Sequence, residues 1–250
     1  MYRNKRITVC FPCRNEGAHL KEVLSRVPSF VDEIIVISNN SKDDTVKVAK
    51  KLGAKALEDN RTIDGIGYGY AHITGIHNAT GDIIVGADGD ATYPVEDLAA
   101  VIDHLLDNDL DFISCNRYPL KDGTKIPFKL RFGVWMLNTE VLTLYNKKIQ
   151  DILSGMWVFK KDAREHLNLT MGDWNLSPEI KINAAMSPEI AFGEYSIAQH
   201  QRMGESHQNY FKTGMNHAIW ILKHSTIRFS GAARRRKQEQ AKELSSEYQK

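Results

Sequence analysis

Through its first 116 residues the chain alternates short apolar runs with stretches in which apolar side chains recur every three or four positions. RITVCF, residues 6–11, is rich in β-branched and aromatic side chains and predicts a strand; Leu20, Val23, Leu24 and Val27 then fall at helical spacing. EIIVIS, residues 33–38, predicts a second strand, followed by a helix from Val46 to Leu52 that stops at Gly53, a residue suited to a helix C-terminus. DIIVGA, residues 82–87, is a third strand, and Leu98, Val101, Ile102, Leu105 and Leu106 form the apolar stripe of the next helix. DFISCN, residues 111–116, is a fourth. Strands with continuous apolar cores, separated by amphipathic helices, imply crossover connections and hence an α/β fold on a doubly wound, mostly parallel central sheet.

From residue 117 the alternation stops. YPLKDGTKIP reads as a loop, residues 128–144 as a helix with aromatic and aliphatic faces, LSGMWVF as a short strand and residues 178–185 as another helix. Residues 211–229 predict a C-terminal helical extension in which Phe211, Met215, Ile219, Trp220, Leu222 and Ile227 are interspersed with Lys212, Lys223 and Arg228. Core packing is the common reason for such a helix, but the mixture also suits a membrane interface. No Gly-, Ser- or Pro-rich linker and no internal repeat divides the chain. One domain over residues 1–229 is therefore expected, with a basic and polar tail over 230–250 that contains Arg234, Arg235, Arg236 and Lys237.

Charge and cysteine content narrow the class. Lys and Arg number 33 against 31 Asp and Glu, a formal net charge of +2 that makes no case for a nucleic-acid partner. No apolar run approaches the ~20 residues that span a bilayer, and MYRNKRITVC passes straight into the first strand without the apolar core of a signal peptide. The expectation is a cytoplasmic protein with peripheral membrane contact through its C-terminal helix. Cys10, Cys13 and Cys115 cannot make a disulfide framework, which agrees with a reducing compartment.

In a sheet of this kind ligands bind outside the carboxyl ends of the strands. The four segments at those ends are PCRNE (12–16), SNNSKDDT (38–45), DGD (88–90) and NRY (116–118), all rich in carboxylates, amides and arginines. Asp88 and Asp90 stand out. In extended chain, residues two apart point to the same side, and Gly89 between them lets both carboxylates converge. Two like charges so close cost free energy unless a divalent cation lies between them, and hard oxygen ligands suit Mg²⁺ or Mn²⁺. The competing explanation is a turn whose aspartates cap the helix after Pro94.

FPCRNEGAHLKEVL, EIIVISNNSKDDT, GIGYGYAHITGIHNATGDIIVGADGDATYP, DILSGMWVFKK, LSPEI and QRMGES resemble, in order and spacing, the inverting GT-A glycosyltransferases of family 2. Within that family the likeness is greatest to the polyprenyl-phosphate sugar transferases, the group that includes dolichol-phosphate mannosyltransferase. The resemblance covers about residues 6–229 and implies a GT-A fold with a nucleotide-sugar half (1–116) and an acceptor half (117–229). It implies that Pro12, Asn15 and Glu16, with Asn39, Ser41, Gly67, Asp88 and Arg202, bind the nucleotide-sugar donor. Asp88 and Asp90 would hold the metal. Ser38 and Asn39 stand where relatives usually carry aspartates, which leaves the base preference open, and Thr92 stands where mannosyl-type relatives often carry a glutamine ligand. Arg117, Arg202 and His207 would face the acceptor phosphate or the diphosphate, with His207 replacing a usual lysine. Asp151, in a D-x-x-S-G element with Ser154 and Gly155, joins Glu179 and Asp173 as the catalytic candidates. The acceptor so implied is a polyprenyl phosphate, with a glycan or glycoprotein hydroxyl as the alternative.

Other patterns carry less. GIGYGY (65–70) lacks the spacing of a dinucleotide fingerprint and follows EDNRTID rather than a strand. Cys10 and Cys13 have redox spacing but belong to a strand, not a helix start. Of the nine histidines only His200, near Arg202, is a candidate to join the metal. A sugar nucleotidyltransferase would need a Gly-rich loop after the first strand, where this chain has a single glycine, and the intact acidic pair argues against a non-catalytic sugar-binding protein; both stand as lesser alternatives.

Overall fold

A computed structural model describes residues 1–121, 126–203, 209–231, 240, 241 and 244–246. Among the described residues seven strands make one mixed sheet: β1 (Ile7–Cys13), β2 (Glu33–Ser38), β3 (Lys55–Glu58), β4 (Ile83–Gly86), β5 (Phe112–Asn116), β6 (Trp157–Lys160) and β7 (Phe192–Ser196). Their order is β3-β2-β1-β4-β6-β5-β7. The pairs β3/β2, β2/β1, β1/β4 and β5/β7 are parallel, and β6 runs antiparallel to both of its neighbours, β4 and β5. This is the doubly wound, mostly parallel sheet expected, with β6 reversed at the point where the alternating pattern stops.

Helices α1 (Leu20–Ser25), α2 (Thr45–Lys51) and α4 (Leu98–Asp107) cover one face of the sheet. The other face takes α3 (Tyr68–Asn78) and α6 (Leu176–Met186), through Ala71, Ile73, Ile76, Leu176, Ile180 and Ala184. The inner strands are buried on both faces, which is why they read as unbroken apolar runs. Helices α5 (Phe128–Tyr145) and α7 (Tyr210–Phe229) stand apart from the sheet and share a third core of Leu137, Val141, Tyr145 and Ile221, seated on Ile182 and Ala185 of α6.

Three elements escape the periodicity. β3 and β7 are short and only half buried, so neither carries an apolar run. α3 is rich in glycine, histidine and tyrosine and buried nearly all round, so it has no polar stripe. GIGYGY is thus a helix start that follows strand β3 after a loop, and its glycines serve close packing. A Cβ on Gly67 would clash with the Arg61 carbonyl oxygen, and one on Gly69 with that of Met171.

Candidate active site

The carboxyl ends of β1, β2 and β4 open into a cleft of about 1450 Å³ that continues between α5 and α7. Its inner end is a scaffold of loops bound to one another. Ser41 Oγ accepts from the Asn15 N–H (3.1 Å), Asn15 Oδ1 accepts from the Lys42 N–H (2.7 Å), and Asp43 Oδ2 accepts from the Gly17 N–H (2.9 Å). Thr45 Oγ1 accepts from the Glu16 N–H at 3.1 Å. The polar residues after β2 therefore hold the loop after β1, which brings Pro12, Asn15, Glu16, Asn39 and Gly67 to the cleft wall. Ser41 and Asp43 are its supports. The Asn39 amide NH₂ donates to the carbonyls of Asp59 and, at 3.1 Å, Arg61, which fixes its orientation.

The acidic pair sits at the mouth of β4. Asp90 is buried, and its Oδ1 accepts from the Thr92 N–H at 3.0 Å, a turn that Ala91 makes possible with φ of +65°. Asp90 Oδ2 lies 2.9 Å from Arg202 Nη1, and Arg202 Nη2 is 3.9 Å from Glu16 Oε1. Asp88 Oδ1 accepts from the Tyr68 hydroxyl at 3.1 Å. Burial and then repulsion from Asp88 raise the Asp90 carboxyl; burial and then repulsion from Asp90 push Glu16 up to about 7. A hard divalent cation fits this donor set chemically, because it would relieve a charge that Arg202 only partly offsets. Among the described residues no third His, Cys, Asp or Glu completes a protein-only metal cage, so such an ion would take further oxygens from phosphate and water. His200 is turned elsewhere, with Nε2 2.7 Å from Glu96 Oε1. Its backbone N–H donates to the Thr92 carbonyl and that of Met203 to the Asp90 carbonyl, both at 2.9 Å, so the strap bearing Arg202 lies along the acidic loop.

Arg117, which also lines the cleft, makes a two-pronged pair with Asp151, Nε to Oδ2 at 2.6 Å and Nη2 to Oδ1 at 2.9 Å. Burial alone would lower the Arg117 pKa, but Asp151 outweighs it and raises it; Arg117 in turn holds Asp151 below the carboxylate range against its own burial. Asp151 is fully buried and does not line the cleft, so it positions Arg117 rather than touching a substrate. Its turn is fixed from behind by Lys181, whose Nζ donates to the carbonyls of Asp151 (2.8 Å) and Ser154. Gly155, in the same turn, lies so close to the acidic pair that a Cβ there would be 2.7 Å from the Tyr68 hydroxyl and 3.1 Å from Asp88 Oδ1.

The reading of Glu179 as a base needs correction. It is fully buried away from the cleft and accepts from the Thr170 N–H, the Thr170 hydroxyl and the Met171 N–H, at 2.7 to 2.8 Å, so it fastens the loop before α6. Asp173 is also off the cleft wall; burial raises its pKa, and both oxygens serve Asn175. The residues that do line this region are Tyr68, Trp174, Ser177 and His217. Tyr68 and Trp174 pack against each other, tilted by 36°, with ring centroids 4.5 Å apart. None was singled out in the sequence, although Tyr68 and Ser177 lie within quoted motifs; His217, in an apolar helix, had no local signal. His207 and the basic run 234–237 lie outside the described residues.

Between α5 and α7 the cleft wall is mainly apolar, made by Leu130, Val134 and Leu137 of α5 and by Phe211, Met215 and Ala218 of α7, with Lys129 and Thr213 among them. The outer faces of these two helices carry exposed large side chains, among them Phe128 (77% exposed), Trp135 (60%) and Leu222 (52%). Among the described residues no helix is long and apolar enough to cross a membrane.

Residues 8–167 match the family model described as "Glycosyl transferase family 2". The chain is 26% identical over 223 residues to the low-salt glycan biosynthesis hexosyltransferase Agl6 of Haloferax volcanii, a match covering 86% of this chain but 53% of that protein. It is 26% identical over 247 residues to the dolichol-phosphate mannosyltransferase of Pyrococcus furiosus, covering 90% of this chain and 69% of the relative. Among solved structures, glucosyl-3-phosphoglycerate synthase of Mycobacterium tuberculosis, in complex with Mn²⁺, UDP-glucose and phosphoglyceric acid, superposes with a TM-score of 0.68 at 18% identity. That alignment covers 89% of this chain and 80% of the synthase, a likeness of fold.

Proposed function

The chain belongs to glycosyl transferase family 2, and from that premise we propose that it moves a sugar, with inversion and with Mg²⁺ or Mn²⁺, from a nucleoside-diphosphate sugar to a polyprenyl phosphate. The observation that carries the reading is the continuity of one cleft from the acidic pair Asp88 and Asp90, past Arg117, into an apolar trench between α5 and α7. A phosphate-bearing acceptor with a long apolar chain matches that sequence of surfaces. The mannosyltransferase relative is named for a lipid phosphate of this kind, which supports the acceptor class.

The donor's base and ribose would lie among Asn39, Gly67, Arg14 and Asn15, with the diphosphate at Asp88, Asp90 and Arg202. A divalent ion held by Asp88 and Asp90 would supply charge neutralisation for the departing diphosphate. Arg202 adds a positive charge on the same group. Trp174 and Tyr68 offer an aromatic wall for the sugar, and Gly155 leaves room beside Asp88. Arg117, pinned by Asp151, faces the acceptor phosphate; an acceptor that is already anionic needs little help from a base, in keeping with the withdrawal of Glu179 from the cleft. The exposed aromatic and aliphatic side chains of α5 and α7, interspersed with Lys129, Arg131, Lys212, Lys223 and Arg228, would rest on an anionic membrane surface where the lipid chain enters.

The test is to incubate the purified protein with Mn²⁺ or Mg²⁺ and a panel of nucleotide sugars, and to follow nucleoside-diphosphate release with a polyprenyl phosphate or with free glycans. Release that depends on the lipid phosphate is expected. Release driven by free glycans alone would move the acceptor to a hydroxyl.

A further inference from the structure

Asp90 has one carboxylate oxygen committed to its own loop, through the Thr92 N–H, and the other in contact with Arg202 Nη1 at 2.9 Å. Asp90 is buried while Arg202 remains partly exposed, so the arginine is the member of the pair that solvent and an incoming anion can reach. Arg202 leans on Asp90 and, more loosely, on Glu16, so two carboxylates share one guanidinium, and Asp88 adds its repulsion to Asp90. A divalent ion on Asp90 Oδ2 and the guanidinium on the same oxygen would be two cations within a few ångströms, and they repel. The strap that carries Arg202 is tied to the acidic loop by backbone bonds from His200 and Met203, so the arginine can change partner without leaving the cleft.

We propose that Arg202 is a placeholder on the metal carboxylate, exchanged for the divalent ion only when a diphosphate arrives to receive the guanidinium. The inference rests on the metal and donor assignments made above. It makes metal and nucleoside diphosphate bind as a unit: the ion alone must displace Arg202 from Asp90, whereas a diphosphate offers Arg202 a new anionic partner while it ligates the ion. Coupling of this kind is reciprocal, so the metal raises diphosphate affinity by the same factor. Each end state gives every charged group a partner of opposite sign. In one, Arg202 offsets part of the acidic cluster; in the other, the ion sits on the carboxylates and the arginine on the phosphates.

The experiment compares wild type with Arg202→Gln. Metal-free protein is titrated with Mn²⁺ alone, following the electron paramagnetic resonance signal of the free ion. UDP and GDP are then titrated by calorimetry at saturating Mn²⁺. Exchange predicts opposite signs: the variant binds Mn²⁺ alone roughly twofold to fivefold tighter, the range set by loss of one partly exposed ion pair, and binds the diphosphate that wild type accepts at least about tenfold more weakly. Unchanged or weaker Mn²⁺ binding by the variant overturns the proposal. Melting curves of the metal-free protein give a second measure, independent of ligand: Arg202→Gln lowers the midpoint in the wild-type background but not in Asp90→Asn. An equal drop in both backgrounds also overturns it, because the arginine would then act on the fold and not on Asp90. If neither protein binds Mn²⁺, with or without UDP or GDP, the metal assignment itself falls along with the exchange.

Discussion

Glu16 shows at the scale of one residue how the cleft trades stability for charge. Burial, reinforced by Asp90, lifts its carboxyl from an ordinary 4.5 to about 7. The folded value lies above the unfolded one, so the stabilisation is fully present below about pH 4.5 and is lost as pH rises through about 7. Glu16→Gln removes this dependence. The melting temperature of the metal-free variant should fall less than that of wild type between pH 5 and 8, with a gain of about 2 kcal/mol for the variant at pH 8. A variant that follows the wild-type curve would show that Glu16 ionises freely in the folded protein. The carboxylate pair of DGD was legible in the sequence because its spacing alone sets its direction. The fate of Glu179 was not: an acidic residue in a promising motif reads the same whether it faces the cleft or, as here, fastens Thr170 and Met171.

Elements carry the next level of organisation. The D-x-x-S-G turn is held on α6 by Lys181, a fully buried lysine whose pKa burial lowers to about 7. Lys181→Met keeps the volume but leaves the carbonyls of Asp151 and Ser154 without their donor, and should cost about 2 to 4 kcal/mol in urea unfolding. Acceptor affinity should weaken more than donor affinity, since Arg117 depends on the same turn. The paired helices α5 and α7 make a different prediction. Trp135 and Leu222 are exposed and lie away from the cleft wall, so Trp135→Glu with Leu222→Glu should leave the melting temperature almost unchanged. The same pair of changes should reduce sedimentation with vesicles containing anionic lipid by about tenfold or more; undiminished sedimentation would place the membrane contact elsewhere. Periodicity located both helices, but it could not tell which apolar positions face inward, because α5 has aromatic and aliphatic side chains on every side and only contact with α6 and α7 sorts them.

For the whole molecule, donor and metal should act as a single stabilising ligand. At concentrations about a hundredfold above the dissociation constant, Mn²⁺ with the matching nucleoside diphosphate adds about 2.7 kcal/mol, a rise of roughly 5 to 10 °C for a chain of this size. Asp90→Ala should abolish both that rise and sugar transfer while keeping the folded circular dichroism spectrum; a full thermal shift in the variant would remove Asp90 from the metal site. The coupling spans loops after β1, β2 and β4 and the strap at 200–203, which are brought to one mouth by a sheet whose strand order differs from chain order. That mouth is where the two kinds of information part. By itself the sequence determined the parallel core strands, the helices with clear stripes, the acidic pair and the likeness to family 2, since each depends on the spacing of neighbours along the chain. Tertiary structure alone decided that β6 runs antiparallel, that β3, α3 and β7 exist, that Asp151 serves Arg117, and that His217 and Trp174 line the cleft. Those outcomes depend on burial by partners far away in sequence, and no local pattern records which distant surface a side chain will meet.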